Sequence, residues 1–189
     1  MKMKERMQHW AIRHRSRQVQ QETFEFPASI QGSKRMLITL PHGIQTNSLL
    51  LRMIGELPVI FPSSDLLIVV PVGCSEITRK TGIHAISPEL NLTNLIGLPK
   101  KDFFAKVADF KASVLIDFET HKNVFNAMVA LHTGADLRIG LANVWGMPIH
   151  NFLVKSTFQT DELKTYRHMV DLLTSIQLQS AAIKMGKLD

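Results

Sequence analysis

Residues 117–121 read Asp-Phe-Glu-Thr-His. Two carboxylates and an imidazole this close could pass a proton to or from a bound molecule. Acid–base work needs such groups within hydrogen-bond reach of the reacting atom. The same residue types also fit a structural role, because carboxylates at the start of a helix accept from its unpaired N–H groups. Asp117 and Glu119 admit both readings. Of the eight histidines, His42 and His121 fall in turns that follow apolar runs, where a ligand would be met. The others, His9, His14, His84, His132, His150 and His168, do not pair around a carboxylate. No H-E-x-x-H pattern occurs, so no metal site is expected. The single cysteine, Cys74, has no neighbouring base and reads as a small buried hydrophobe, with a nucleophile as the weaker alternative.

The elements around these residues alternate. Short apolar runs at Arg35–Leu40, Asp65–Val70, His84–Ser87, Val114–Phe118 and Leu137–Leu141 read as strands, and the partly alternating run within Met147–Lys155 reads as an added edge strand. Helical spacing predicts helices over Ser48–Leu57, Gly73–Thr81, Lys101–Phe110, Asn123–His132 and Thr160–Met185. Pro58 is expected to stop the first of these and Gly134 the fourth, with a break in the last near Gln177. Asn47 or Thr46 would cap the first helix, and Ser156 or Thr160 would begin the last. The run DLLIVV is apolar throughout, as a strand of a parallel sheet covered on both faces must be. The expected fold is therefore α/β: a three-layer, Rossmann-like, doubly wound and mostly parallel sheet.

Such a sheet binds ligands beyond the carboxyl ends of its strands. The turns there hold the candidate binding rim: His42, Gly43, Gln45, Thr46 and Asn47 after the first strand, Gly73 after the second, and Glu119, His121, Lys122 and Asn123 after the fourth. The first turn, PHGIQTN, has one glycine, so it is neither a G-x-G-x-x-G dinucleotide fingerprint nor a P-loop, and no cofactor is expected.

Composition narrows the classes further. At 189 residues with 45% hydrophobic content, the chain can bury one sizeable core. One cysteine permits no intrachain disulfide and favours a reducing compartment, the cytoplasm. Residues 1–35 carry eight Lys/Arg against three Asp/Glu, whereas the remainder is close to neutral. A nucleic-acid partner would need a basic stripe on the folded body, so none is predicted. Residues 1–34 read as a basic arm or helix, with Met3, Met7, Trp10 and His14 at steps of three and four, followed by an irregular linker over FEFPASIQGSK. A helix packed on the domain, a protein contact and a peripheral membrane contact all fit the arm. Residues 35–189 read as the domain proper.

Three segments carry a resemblance: MLITLPHGIQTNSLLLRMIGELPVIFPSSDLLIVVP, TGIHAISPEL, and SVLIDFETHKNVFNAMVALHTGADLRIGLA, of which TGADLRIGL is the most specific. Their order and spacing over about residues 35–176 resemble the N-terminal domain of the heptosyltransferases, lipopolysaccharide glycosyltransferases of GT-B fold; the helix DELKTYRHMVDLLTSI is similar to the one closing that domain. The resemblance implies a general base on the first turn, but Gln45 and Thr46 stand where the family has Gly-Asp. An unperturbed Thr hydroxyl is no base near neutral pH. Lys122-Asn123 stands near the family's Arg-Ser pair. The sequence ends where the family's donor-binding second domain would begin. The expectation is a half-length, glycosyltransferase-like pseudoenzyme with no catalytic residue of its own and a binding or assembly role. It would use the carboxyl-end face for a protein partner or self-association. The alternatives are a transferase subunit completed by a separate donor-binding partner, or a Rossmann-like protein holding a nucleotide or phosphate near Gly43 and Gly73.

Overall fold

Successive residues of a strand point to opposite faces of its sheet, and the first strand of this protein is apolar on both. Met36, Ile38 and Leu40 enter one core and Leu37 the other. A strand with two apolar faces needs a helical layer on each side. In the computed structural model, which describes residues 3–19, 23–41, 47–89, 94, 97–158 and 161–185, with side chains as far as residue 179, that is the arrangement found.

The strands are β1 (Arg35–Thr39), β2 (Asp65–Val69), β3 (His84–Ile86), β4 (Val114–Asp117), β5 (Leu137–Leu141) and β6 (Phe152–Val154). They form one sheet in the order β3-β2-β1-β4-β5-β6, and every pairing among them is parallel. The fold is thus α/β, Rossmann-like and doubly wound. The order reverses between β1 and β4, the position at whose carboxyl ends sheets of this kind bind ligands.

The helices are α1 (Met3–Ser16), α2 (Ala28–Gln31), α3 (Ser48–Ile54), α4 (Leu57–Ile60), α5 (Cys74–Thr81), α6 (Lys101–Asp109), α7 (Val124–His132) and α8 (Glu162–Met185). Leu50, Leu51 and Ile54 of α3, Ile77 of α5, and Tyr166, Met169, Val170 and Leu173 of α8 close one core. Phe103, Phe104 and Val107 of α6, the apolar face of α7 and Ile12 of α1 close the other.

Four local expectations are corrected. Pro58 does not stop the helix over 48–57: α3 ends at Ile54, and Pro58 lies in the first turn of α4, where its missing N–H costs nothing. The presumed linker contains the short helix α2, anchored by buried Ile30. The last helix runs unbroken past Gln177. Asp161 caps it by accepting from the Lys164 N–H at 3.1 Å, and Ser156 instead bonds the Thr165 hydroxyl at 3.0 Å; Thr160 lies outside the described residues.

Candidate functional site

Thr39 and Asp117 are register partners at the carboxyl ends of β1 and β4, beside the point of strand reversal. Register partners sit close enough for their side chains to meet on the shared face. Here they do: the Thr39 hydroxyl donates to Asp117 Oδ1 at 2.7 Å. The same oxygen accepts from the Glu119 N–H at 3.1 Å and from Asn126 Nδ2, on α7, at 3.0 Å. Asn126 Nδ2 also donates to the Leu40 carbonyl at 3.1 Å, tying α7 to the end of β1.

The other carboxylate oxygen of Asp117 faces His150 Nε2 at 3.1 Å. His150 Nδ1 has no partner and lies over Gly140, so the tautomer with the proton on Nε2 is the one that satisfies the pair. The imidazole fits because Gly140 lacks a side chain; a Cβ there would strike the ring. Arg138, two residues earlier on β5, donates to the carbonyls of Ala135, Pro148 and Ile149. It holds the loop that delivers His150. Thr39, Asp117, Asn126 and His150 are all buried.

Glu119 sits above this quartet and is buried as well. Its Oε1 accepts from the Thr120 and His121 N–H groups at 3.1 and 3.3 Å, and its Oε2 from Asn123 Nδ2 at 2.8 Å. Asn123 then caps α7, its Oδ1 accepting from the Phe125 and Asn126 N–H groups. Neither carboxylate caps the helix directly, as their position suggested; Glu119 shapes the turn and Asn123 does the capping.

The accessible part of the site lies beyond these residues. A cleft of about 400 Å³ opens between the β4–α7 turn, the end of β5 and the start of α8. Thr120, His121 and Lys122 form one wall, Leu141 and Asn143 another, and Ser156, Glu162 and Thr165 the third. His121 is 78% exposed and lies 3.5 Å from Glu162, which also accepts from the Thr120 hydroxyl at 3.0 Å. The Lys122 ammonium sits 5.4 Å from the centre of the Trp145 ring. Beneath the Thr120 side, burial pushes the Tyr166 phenol up to about 12, and the nearby Glu162 and Glu119 carboxylates act in the same direction. The cleft therefore presents hydroxyl, amide, imidazole, ammonium and carboxylate groups around one apolar side chain.

Of the expected rim, His121 and Lys122 line this cleft, and Glu119 and Asn123 build the turn beneath it. Asn47 caps α3, its Oδ1 accepting from the Leu50 N–H at 3.0 Å. Gly73, at φ +79°, precedes α5. Neither is among the residues around the cleft. His42, Gly43, Gln45 and Thr46 lie outside the described residues. The sequence reading did not single out Thr39, Asn126 or His150. The one local signal for them was Gly140 in the middle of an otherwise apolar strand, which marks a close approach.

Among the described residues no three of His, Cys, Asp and Glu are grouped to share a metal ion, and no described helix is long and apolar enough to cross a membrane. In comparisons with known proteins, no family model, curated protein or solved structure matches the chain.

Proposed function

We propose that this chain is a heptosyltransferase-like binding module without transferase activity of its own, holding a polar, hydroxyl-rich ligand such as a sugar phosphate in the cleft beyond β4 and β5. The observation that carries the reading is the division of labour at the end of β4. Both carboxylates that the sequence singled out as a possible base, Asp117 and Glu119, are buried and engaged by donors of the protein itself. A base must reach the proton it removes, and these two face inward. The cleft next to them is instead lined by mixed donors and acceptors with Lys122 and His121 at the wall, a lining suited to hydroxyl and phosphate groups.

Two measurements test it. Incubation with ADP- and UDP-sugars is expected to give neither transfer nor steady hydrolysis; measured turnover by the chain alone would overturn the absence of activity. Titration with a hexose phosphate, followed by amide NMR, is expected to shift the signals of Thr120, His121, Lys122 and Asn143 at millimolar ligand. The binding reading fails if those amides stay still, or if Lys122→Gln shifts as the wild type does.

A further inference from the structure

Helix α1 carries two separate faces. Ile12 is buried in the core formed with α7, flanked by Ala11 and Val19, and Arg15 Nε donates to the Leu131 carbonyl at 3.3 Å. That face fixes the helix to the domain. Met3, Met7, Trp10 and His14 follow one another at steps of four, three and four, so they share a stripe, and at about 100° per residue it lies on the side away from Ile12. The stripe is uncovered: Met3 is 78%, Met7 45% and Trp10 67% exposed. The Trp10 and His14 rings stack at 5.3 Å, making a flat apolar surface. Arg6 and Arg13, with Arg17 just past the helix, run along one border of the stripe and are all exposed.

Scattered exposed hydrophobes are ordinary, but three on one line of a short helix are not. The packing on α7 would be satisfied by a polar outer face, so nothing in the domain requires this stripe. Its chemistry identifies an occupant. Tryptophan settles at the boundary between headgroups and acyl chains, and arginines beside it pair with lipid phosphates. Residues 1–35 carry five more positive than negative charges while the rest of the chain is near neutral, so attraction to a negative surface is concentrated at this helix. The stripe borders an open hollow of about 530 Å³ among Met3, Arg6, Met7, Trp10 and Ala11, with room for part of an acyl chain between the side chains.

We propose that α1 docks the protein reversibly on an anionic lipid bilayer, with Met3, Met7 and Trp10 entering the headgroup boundary and Arg6, Arg13 and Arg17 contacting phosphates. One such helix gives weak, salt-sensitive binding rather than permanent anchoring.

The test is flotation of the full chain with vesicles of phosphatidylcholine alone and of an equal mixture of phosphatidylcholine and phosphatidylglycerol. Binding is expected to the mixed vesicles, and to weaken as salt is added. Trp10→Ser is expected to lower partitioning about tenfold by removing apolar contact. Arg6→Gln, Arg13→Gln and Arg17→Gln are expected to lower it about fivefold each, the effect of one basic side chain near such a surface. All four positions are exposed, and unchanged thermal unfolding of the variants would show that the fold is kept. Failure to float with the mixed vesicles, equal binding to both vesicle types, or wild-type binding by both the Trp10 and the arginine variants would overturn the proposal. So would a dimer in sedimentation that Trp10→Ser dissociates, since a second copy would then cover the stripe.

Discussion

Asp117 and His150 meet 3.1 Å apart with both side chains only 1% exposed, so the end of β4 and the loop before β6 are joined by a buried polar contact. Every carboxylate oxygen of Asp117 has a protein partner. Removing the carboxylate would strand four donors away from water. Asp117→Ala is expected to lower stability by about 3–5 kcal/mol, read from urea unfolding. A loss under about 1 kcal/mol would mean the quartet is not a structural centre.

Gly140 and His150 should behave as a coupled pair. Gly140→Ala places a methyl group against the imidazole, and overpacking of this kind costs about 1–3 kcal/mol. In a His150→Ala background the same change should cost much less, giving a clear interaction energy in a double-mutant cycle. Strict additivity would contradict the packing described.

Asn123→Ala tests the turn under the cleft. Loss of an N-cap alone costs about 1 kcal/mol, which is the expectation for Asn47→Ala at α3. Asn123 also donates to buried Glu119, so its replacement should cost about 2 kcal/mol or more. Equal losses at the two caps would remove Glu119 from the account.

Tyr166, the single tyrosine, allows its titration to be followed by ultraviolet absorbance. Its phenol should ionise at about 12 rather than at 10.0. The folded value lies above the unfolded one, so the protonated phenol contributes stability that is fully present below about 10 and is lost as pH rises through about 12. Tyr166→Phe should remove that part of the alkaline dependence. Ionisation near 10 in the folded protein would show the hydroxyl to be solvated.

Much of the fold could be read from local pattern. DLLIVV and the apolar run before Asp117 had to be buried on both faces, and Asn47 announced its helix as a cap. Pro58 misled because proline is forbidden inside a helix but welcome in its first turn, and only the break at Gly55 and Glu56 decides between the two. The site was harder. Asp117 and Glu119 stood out by type, but their partners lie far along the chain: Thr39 is 78 residues from Asp117, and His150 is 33. Such contacts depend on strand order and register, which no local spacing encodes.

The Thr39–Asp117 pairing has a consequence for how the sheet assembles. Sliding β4 by one residue against β1 would swing Asp117 to the opposite face, among Ile38, Ile68 and the side chains of α8. There it would meet hydrocarbon in place of Thr39, Asn126 and His150. An apolar strand tolerates many alignments, but a lone carboxylate at its tip tolerates one. Asp117 acts as the key that admits a single alignment of the central strands and rejects the misaligned sheets that their apolar neighbours alone would accept.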